Sequence, residues 1–214
     1  MDNLTAFNIY RTQIEKYIVF NEEEWAAFKD HLAVKTLKKK QNFAQPGLVC
    51  NDIGFVISGS VRYFNVVNGE EITSYFSFEN EFVSSYKSFL TLTPALNYIQ
   101  ALEPTLLVTF SQKSMQQMLA NPLLAHKMER FGRLVAEFYL ICYEDRMSSF
   151  INKTPEERYM DLFSTRRDIL QRMPQHYIAH FLGITPVSLS RIKRRILEPV
   201  KVPNPNASPT EIQY

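Results

Sequence analysis

Residues 174–196 read PQHYIAHFLGITPVSLSRIKRRI, and this stretch predicts two short helices joined by a tight turn. The first helix has apolar residues three and four positions apart, and Gly183 follows it as a residue that turns with positive φ at no steric cost. Thr185 is a predicted N-cap, and Pro186 suits the first helical position because that position needs no amide proton. The pattern is typical of a helix-turn-helix that reads DNA.

The second helix of this motif separates into an apolar side and a polar side. Leu189, Ile192 and Ile196 lie three and four positions apart on an inner face. The other side carries the positive charge that binding to phosphates requires. The predicted DNA-contacting residues are Thr185, Val187, Ser188, Ser190, Arg191, Lys193, Arg194 and Arg195. The alternative is an ordinary helical hairpin with a solvated basic face.

Positive charge is concentrated around this motif. Residues 153–201 contain ten Lys and Arg against five Asp and Glu, whereas residues 1–152 contain 14 against 16. The formal net charge of the whole chain is only +2. A basic C-terminal part beside a slightly acidic N-terminal part indicates that one part of the protein is attracted to phosphates.

Composition excludes several classes of protein. The chain has 214 residues and 45% hydrophobic content, enough for real cores, and no apolar run approaches the roughly 20 residues of a membrane span. Its first residues lack the layout of a signal peptide, so we expect a cytoplasmic protein with no membrane partner. Cys50 and Cys142 are predicted to be buried free thiols rather than a redox pair.

The sequence also lacks the usual signs of catalysis. It contains no GxSxG segment and no glycine-rich phosphate loop, so we predict neither an enzyme nor a cofactor. His176 and His180 are spaced i and i+4 on a helix, as metal ligands can be, but no third ligand lies nearby in sequence. We therefore predict no metal site and expect both histidines to face phosphates or solvent.

The N-terminal two-thirds begins with helices and continues with strands. Residues 4–32 have helical spacing, with Asn21 as a predicted cap before three glutamates. Turn signals then separate short strands, and Asn68-Gly69 is the strongest hairpin signal. The predicted strands span residues 35–43, 55–57, 60–67, 71–78, 98–101 and 106–111. Many short strands at regular spacing predict a sandwich or barrel.

A second helical block starts at Ser114 and leads to a long helix that begins near Pro122. Some 28 residues would extend roughly 40 Å, and an apolar stripe with alternating spacings of four and three is typical of helices that pair. The predicted dimer stripe is Leu124, Met128, Phe131, Val135, Phe138 and Cys142. Leu123, Leu134 and Ile141 make a second apolar surface, which lets one surface cover the β domain while the other meets a partner. The alternative is burial within one monomer.

The order of these parts resembles the Crp-Fnr family of bacterial transcription regulators over nearly the whole chain. The resemblance is carried by residues 53–61 (IGFVISGSV), 80–83 (NEFV), 153–158 (KTPEER) and 178–192. It implies an α+β protein with an N-terminal double-stranded β-helix (β-roll), a long central dimerisation helix and a C-terminal helix-turn-helix whose wing is reduced or absent. The implied units are a β-roll with N-terminal helices (1–120), the central helix (121–152), the helix-turn-helix (153–198) and an extended or mobile tail (199–214).

The sequence departs from the family where cyclic nucleotides bind. Family members that bind them carry Gly-Glu-Leu after the NEFV position and an arginine farther on, whereas residues 84–86 here read SSY and residues 93–101 contain no arginine. Losing the carboxylate and the guanidinium removes the charge-assisted contacts to such a ligand, so we expect no binding of cyclic AMP in the usual mode. The residues of a candidate pocket for another effector are Ser84, Ser85, Tyr86 and Lys87. A solvated lysine beside small loop residues is the alternative.

The resemblance implies a sequence-specific transcription regulator that binds a two-fold symmetric DNA site as a homodimer. Arg191 matches an arginine of the family and is the predicted bidentate contact to guanine, while Val187 is suited to a thymine methyl group. Lys193, Arg194 and Arg195 are predicted to bind the DNA backbone. RNA polymerase and an unknown small-molecule effector are possible further partners. The alternative is a small-molecule-binding or protein-binding β-roll whose C-terminal helices do not read DNA.

Overall fold

The structure, a computed structural model, describes residues 1–197. It shows the predicted α+β architecture, with two helices, a β-roll, a long helix and a C-terminal helical group in chain order. The helices are α1 (Asn3–Ile14), α2 (Glu22–Lys29), α3 (Tyr86–Thr91), α4 (Gln112–Ala120), α5 (Ala125–Asn152), α6 (Pro155–Thr165), α7 (Arg167–Arg172), α8 (Gln175–Phe181) and α9 (Pro186–Leu197). The strands are β1 (Ala33–Leu37), β2 (Asn42–Ala44), β3 (Asp52–Ser58), β4 (Val61–Val67), β5 (Glu70–Ser77), β6 (Phe82–Val83), β7 (Tyr98–Ala101) and β8 (Thr105–Ser111).

Some predictions concern residues beyond this range. The tail at 199–214, the wing and the last residue of the unit 153–198 lie outside the described residues, so these stay predictions. Among residues 1–197, no helix combines the length and apolar character needed to cross a bilayer.

The β-roll consists of two antiparallel four-stranded sheets. Sheet A has the order β1-β8-β3-β6, and sheet B has the order β2-β7-β4-β5. Apolar side chains that alternate along the strands fill the space between the sheets. They are Leu37, Ala44, Cys50, Val56, Val61, Val83, Ile99, Ala101 and Leu107. The Asn68-Gly69 turn joins β4 to β5 with Val67 opposite Glu70, as the sequence predicts.

The sequence prediction is wrong for one strand and incomplete for two short elements. Residues 35–43 form two strands rather than one, because the chain turns between them with Lys40 in the left-handed region (φ 68°). The Lys40 amide donates to the Ala101 carbonyl at 2.8 Å, which anchors the turn. Strand β6 and helix α3 were not predicted. Strand β6 has only two residues, and its existence depends on pairing with β3 rather than on a local pattern.

The outer face of sheet A is covered by α1, α2, α4 and the first half of α5. Helix α2 begins with a capping box in which Asn21 and Glu24 satisfy each other's backbone amides, as its cap was predicted to do. From α5, Met128 and Phe131 are buried in this core, and the Tyr139 hydroxyl accepts from the Phe82 amide at 2.9 Å. The long helix is therefore fixed to the β-roll along one side.

The outer face of sheet B is covered by the C-terminal helices. Phe76 and Phe78 of β5 and its continuation share one core with α6 to α9. The helical members of this core are Tyr159, Leu162, Ile169, Met173, Ile178, Ala179, Leu182, Leu189 and Ile192. The C-terminal helices therefore form a small core of their own, and this core packs against the outer face of sheet B.

Candidate nucleic-acid interface

Helices α8 and α9 form the helix-turn-helix that the sequence predicts. Gly183 has φ 71°, and the Ile184 amide after it donates to the Ala179 carbonyl at 3.0 Å. The Thr185 hydroxyl then accepts from the Ser188 amide at 3.2 Å, which caps the start of α9. The predicted turn and cap are confirmed, and each depends on residues within six positions of one another.

The end of α5 packs directly against this turn. A Cβ atom on Gly183 would lie 2.8 Å from Phe150 Cε1, so a side chain there would meet the ring. Arg158 of α6 donates from Nε and Nη2 to the Leu182 carbonyl at 3.2 and 3.0 Å, and its guanidinium lies over the Phe150 ring. These contacts join the long helix to the helix-turn-helix.

Sequence reasoning assigned no role to Phe150 or Arg158. The segment 153–158 marks a helix start, but nothing local shows that Arg158 reaches a carbonyl 24 residues later. Likewise, no pattern near Phe150 predicts that its ring contacts the turn at Gly183, which lies 33 residues later in the sequence.

We expect Gly183→Val to destabilise the C-terminal helices by about 2–4 kcal/mol, because a β-branched residue resists positive φ and its side chain would collide with Phe150. Thermal unfolding followed by circular dichroism measures this loss. The matched control is Gly69→Val in the turn between β4 and β5, where φ is also positive (85°) but a Cβ atom meets nothing within 4 Å. Equal loss from the two substitutions would contradict the proposed close contact.

Helix α9 presents one stripe of side chains outward. Leu189 and Ile192 are buried against α8, which places Val187, Ser190 and Arg191 on the opposite side, where all three are exposed. Arg194 continues this outward stripe one turn later, because it lies three positions after Arg191. Neither Arg191 nor Arg194 makes a hydrogen bond or an ion pair with another residue in 1–197.

The other predicted contact residues lie at the flanks of this stripe and are already engaged. The Ser188 hydroxyl lies 3.0 Å from the Thr185 hydroxyl, so both belong to the cap. Lys193 Nζ donates to Gln175 Oε1 at 3.0 Å, and Arg195 pairs with Glu156 at 3.0 Å. Val187, Ser190, Arg191 and Arg194 are therefore exposed residues of α9 whose side chains have no hydrogen-bond or ion-pair partner among residues 1–197.

The predicted dimer stripe is largely turned inward, which corrects the sequence interpretation. Leu124, Met128 and Phe131 are buried in the core beneath sheet A, and Val135 packs against that core. Of the two remaining members, Phe138 is exposed and Cys142 is partly exposed. The spacing identified a real stripe, but it is the stripe that covers the β-roll of the same chain.

A different stripe on α5, which was not predicted from the sequence, faces outward. It consists of Gly132, Ala136, Leu140, Tyr143, Met147 and Ile151, again with spacings of four and three. Leu140 is 67% exposed and Met147 is 66% exposed, which is unusual for side chains of this size. This second stripe is therefore an apolar surface that nothing in residues 1–197 covers.

A cavity of about 830 Å³ lies between the β-roll and α5, and its lining includes Gly132, Ala136, Leu140 and Tyr143 of this outward stripe. Its wall is mainly apolar, and its rim is polar where α5 carries His126, Arg130 and Arg133. Arg133 pairs with Glu137 at 2.6 Å. Representative wall residues are Ile53, Phe82, Phe110, Met115, Leu119 and Met128.

Comparison with solved structures identifies the fold. The c-di-GMP responsive global regulator CLP of Xanthomonas campestris is similar, with a TM-score of 0.63 and 15% identity over 82% of this chain and 91% of that chain. FixK2 of Bradyrhizobium japonicum has a TM-score of 0.59 and 16% identity, with coverages of 77% and 84%. The fold is that of the Crp-Fnr regulators. A CooA mutant from Carboxydothermus hydrogenoformans has the same architecture, with a TM-score of 0.56, 15% identity and coverages of 78% and 77%.

No family model matches this sequence, and no curated protein matches it at a significant level. The likeness to the Crp-Fnr fold is thus a likeness of structure carried by a diverged sequence. The matching structures extend over both the β-roll and the C-terminal helices, since each covers more than three-quarters of this chain.

Only part of the predicted effector site lies at the cavity of this Crp-Fnr fold. Ser84 and Tyr86 line the cavity, whereas Ser85 and Lys87 do not. The Ser84 hydroxyl donates to the Asp52 carbonyl at 3.1 Å, and the Ser85 hydroxyl donates to Asn97 Oδ1 at 3.1 Å. Lys87 is exposed. Both serine hydroxyls are committed to the protein, so neither is a free donor to a phosphate.

Proposed function

We propose that the protein is a sequence-specific DNA-binding transcription regulator and that α9 enters the major groove. The observation that carries this proposal is the outward stripe of α9, where two guanidinium groups without protein partners in residues 1–197 stand beside Val187 and Ser190. Arginine forms bidentate contacts with guanine, and an apolar side chain suits the thymine methyl group. The Crp-Fnr fold supports the same function.

The outward stripe of α5 suggests how two such helices meet one DNA site. We propose that two copies pair through Leu140, Tyr143 and Met147, since spacings of four and three keep one seam facing a partner helix. In a homodimer of this kind a two-fold axis relates the two copies of α9, so that each copy reads one half-site. RNA polymerase as a further partner stays a prediction.

Selection of DNA fragments from a random pool by the purified full chain tests this function without knowledge of the natural site. We expect enrichment of two-fold symmetric sequences whose half-sites are about one helical turn apart, or a multiple of it. Failure to enrich any sequence over several rounds at moderate salt would contradict the proposal. The enriched sequence is the selected DNA site, on which the affinities of variants are measured.

The cavity beside α5 is the proposed effector site. Its apolar wall fits a small apolar or aromatic molecule, because the polar groups that would hold a cyclic nucleotide are absent from residues 84–86 and the serine hydroxyls there are already bonded. A second copy on α5 would border the opening and help to close it.

We expect cyclic AMP at millimolar concentration to leave the melting temperature unchanged, because a ligand stabilises a protein only when it binds the folded state. Differential scanning fluorimetry measures this. An increase of several degrees would show that the cavity accepts the nucleotide after all, and it would overturn our assignment of Ser84 and Ser85.

A further inference from the structure

The contact between sheet B and α8 has an unusual composition. On the outer face of sheet B, Arg62, Phe64 and Thr73 lie together, since Arg62 and Phe64 are two positions apart and Thr73 pairs with Phe64. Phe76 on the same face contacts Phe181 of α8, with ring centroids 5.5 Å apart. We call this contact the docking seam. It consists of Arg62, Phe64, Thr73 and Phe76 on sheet B and Tyr177, His180 and Phe181 on α8.

Arg62 is the central residue of the docking seam. Its side chain is only 2% exposed, and its guanidinium lies between two aromatic rings, 4.0 Å from the centroid of Phe64 and 4.2 Å from that of Tyr177. Nη2 donates to Gln100 Oε1 at 3.0 Å and also pairs with Glu71. Phe64 of the sheet therefore contacts the cation from β4, and Tyr177 contacts it from α8.

The docking seam also contains most of the unpaired buried polar atoms. Five buried side-chain atoms have no hydrogen-bond partner among residues 1–197, and one of them is the hydroxyl of Tyr10 in another core. The other four are Arg62 Nε, Arg62 Nη1, Thr73 Oγ1 and His180 Nδ1. Buried groups without partners oppose a contact, and each of these would gain water if α8 moved away.

Charged side chains surround the docking seam and oppose its opening. Arg172 pairs with Glu79 at 2.7 Å and with Glu103 at 2.6 Å, and Arg166 pairs with Glu81 at 3.2 Å. These are joined by hydrogen bonds from Arg146 of α5, which donates to the carbonyls of Ser74 and Phe181 at 2.8 and 3.0 Å. Burial lowers the pKa of Arg146 to about 10, which leaves it charged at neutral pH.

His176 and His180, on the same side of α8 as Tyr177, add to this balance. Burial lowers the pKa of His176, and the nearby His180 and Arg62 lower it further, while Glu71 acts in the opposite direction. His176 is exposed and His180 is partly exposed, and the His180 Nδ1 atom is buried without a hydrogen-bond partner among residues 1–197.

We propose that the docking seam is a releasable dock that positions the helix-turn-helix on the β-roll, with Arg62 and Tyr177 as its positioning residues. The cation between two rings and the surrounding ion pairs favour the docked state. The four unpaired polar atoms favour release, so the two states lie closer in energy than a fully satisfied contact would allow.

The docked state leaves the outward stripe of α9 exposed, so docking does not block DNA. It fixes α9 relative to α5 instead, because Arg146 contacts both β5 and α8. The statement about DNA rests on the proposed function, whereas the dock itself does not. A two-fold site requires a fixed separation between two copies of α9, so a looser dock should weaken binding to the complete site.

Hydrogen–deuterium exchange of the full chain tests the dock without DNA. We expect Tyr177→Leu to speed exchange in α8 and β5 about tenfold, because it removes one face of the aromatic pair around Arg62. Tyr177→Phe keeps the ring and should leave exchange unchanged. We expect Thr73→Val to slow exchange about threefold, since it removes an unpaired hydroxyl with little change of shape. Leu96→Ala, at an exposed side chain in the loop before β7, is the control without effect on these peptides.

Opposite effects of Tyr177→Leu and Thr73→Val are the signature of the dock. Unchanged exchange in Tyr177→Leu would overturn it, and so would faster exchange in Thr73→Val, which indicates ordinary packing. With the selected DNA, Tyr177→Leu should lose about tenfold in affinity for the two-fold site but not for a single half-site. Equal affinity of Tyr177→Leu and wild type for the two-fold site would refute the positioning role. If the exchange signature appears but wild type binds no DNA, the proposed function fails and the dock remains.

Discussion

Arg191→Ala is expected to lower affinity for the selected DNA site about 100-fold. A bidentate contact between arginine and guanine contributes roughly 1–3 kcal/mol of discrimination, and a homodimer loses two such contacts. The exposed position of Arg191 on the outward stripe of α9 means that its removal leaves the folded core intact. Electrophoretic mobility shift or fluorescence anisotropy at a fixed salt concentration measures the change.

A matched control separates loss of sequence recognition from loss of charge. Lys39→Ala removes an exposed cation from the turn between β1 and β2, remote in sequence from α9, and this side chain has no hydrogen bond or ion pair among residues 1–197. We expect little change in DNA affinity from this variant. Arg191→Ala should also reduce the preference for the selected site over a scrambled fragment, because a lost base contact relaxes specificity. Equal losses for both DNA fragments would assign Arg191 to the backbone instead.

Replacement of Leu140 and Met147 by glutamate is expected to convert the proposed dimer to a monomer. Both side chains are exposed in the single chain, so the change costs little folding stability, whereas it places two charges in the proposed helix pair. Affinity for the two-fold site should fall about 10²- to 10⁴-fold, because each half-site is then bound independently. Sedimentation velocity measures the mass, and anisotropy measures the affinity.

Ile141→Glu is the control for the dimer variant. Ile141 is also exposed on α5, but it lies outside the outward stripe of Leu140, Tyr143 and Met147. We expect it to leave both the oligomeric state and the affinity unchanged. A dimer that persists in the double glutamate variant would show that the copies meet through another surface or do not pair on α5.

Local chemistry made the helix-turn-helix and several turns predictable. The Gly183 turn, the Thr185 cap and the Asn68-Gly69 hairpin each depend on residues that lie close together in sequence, so their patterns are complete within a short window. The order of strands and helices was also predictable at the level of fold class. Short β6 was missed because it is created by pairing with β3.

Contacts between distant segments were not predictable. Helix α5 has two apolar stripes with the same four-three spacing, and only the packed β-roll decides that Met128 and Phe131 point inward while Leu140 and Met147 point outward. The docking seam could not be predicted from the sequence either. A buried arginine in β4 looks like a surface residue until a helix from the C-terminal part covers it.

The most direct measurement of the central claim is a hydroxyl-radical footprint of the full chain on the selected DNA. The proposed function predicts two protected stretches related by two-fold symmetry and centred about one helical turn apart, or a multiple of it, where the two copies of α9 bind. Arg191→Ala should lose both stretches at the same protein concentration. A single protected stretch, or protection that is equally strong with Arg191→Ala, would contradict the account.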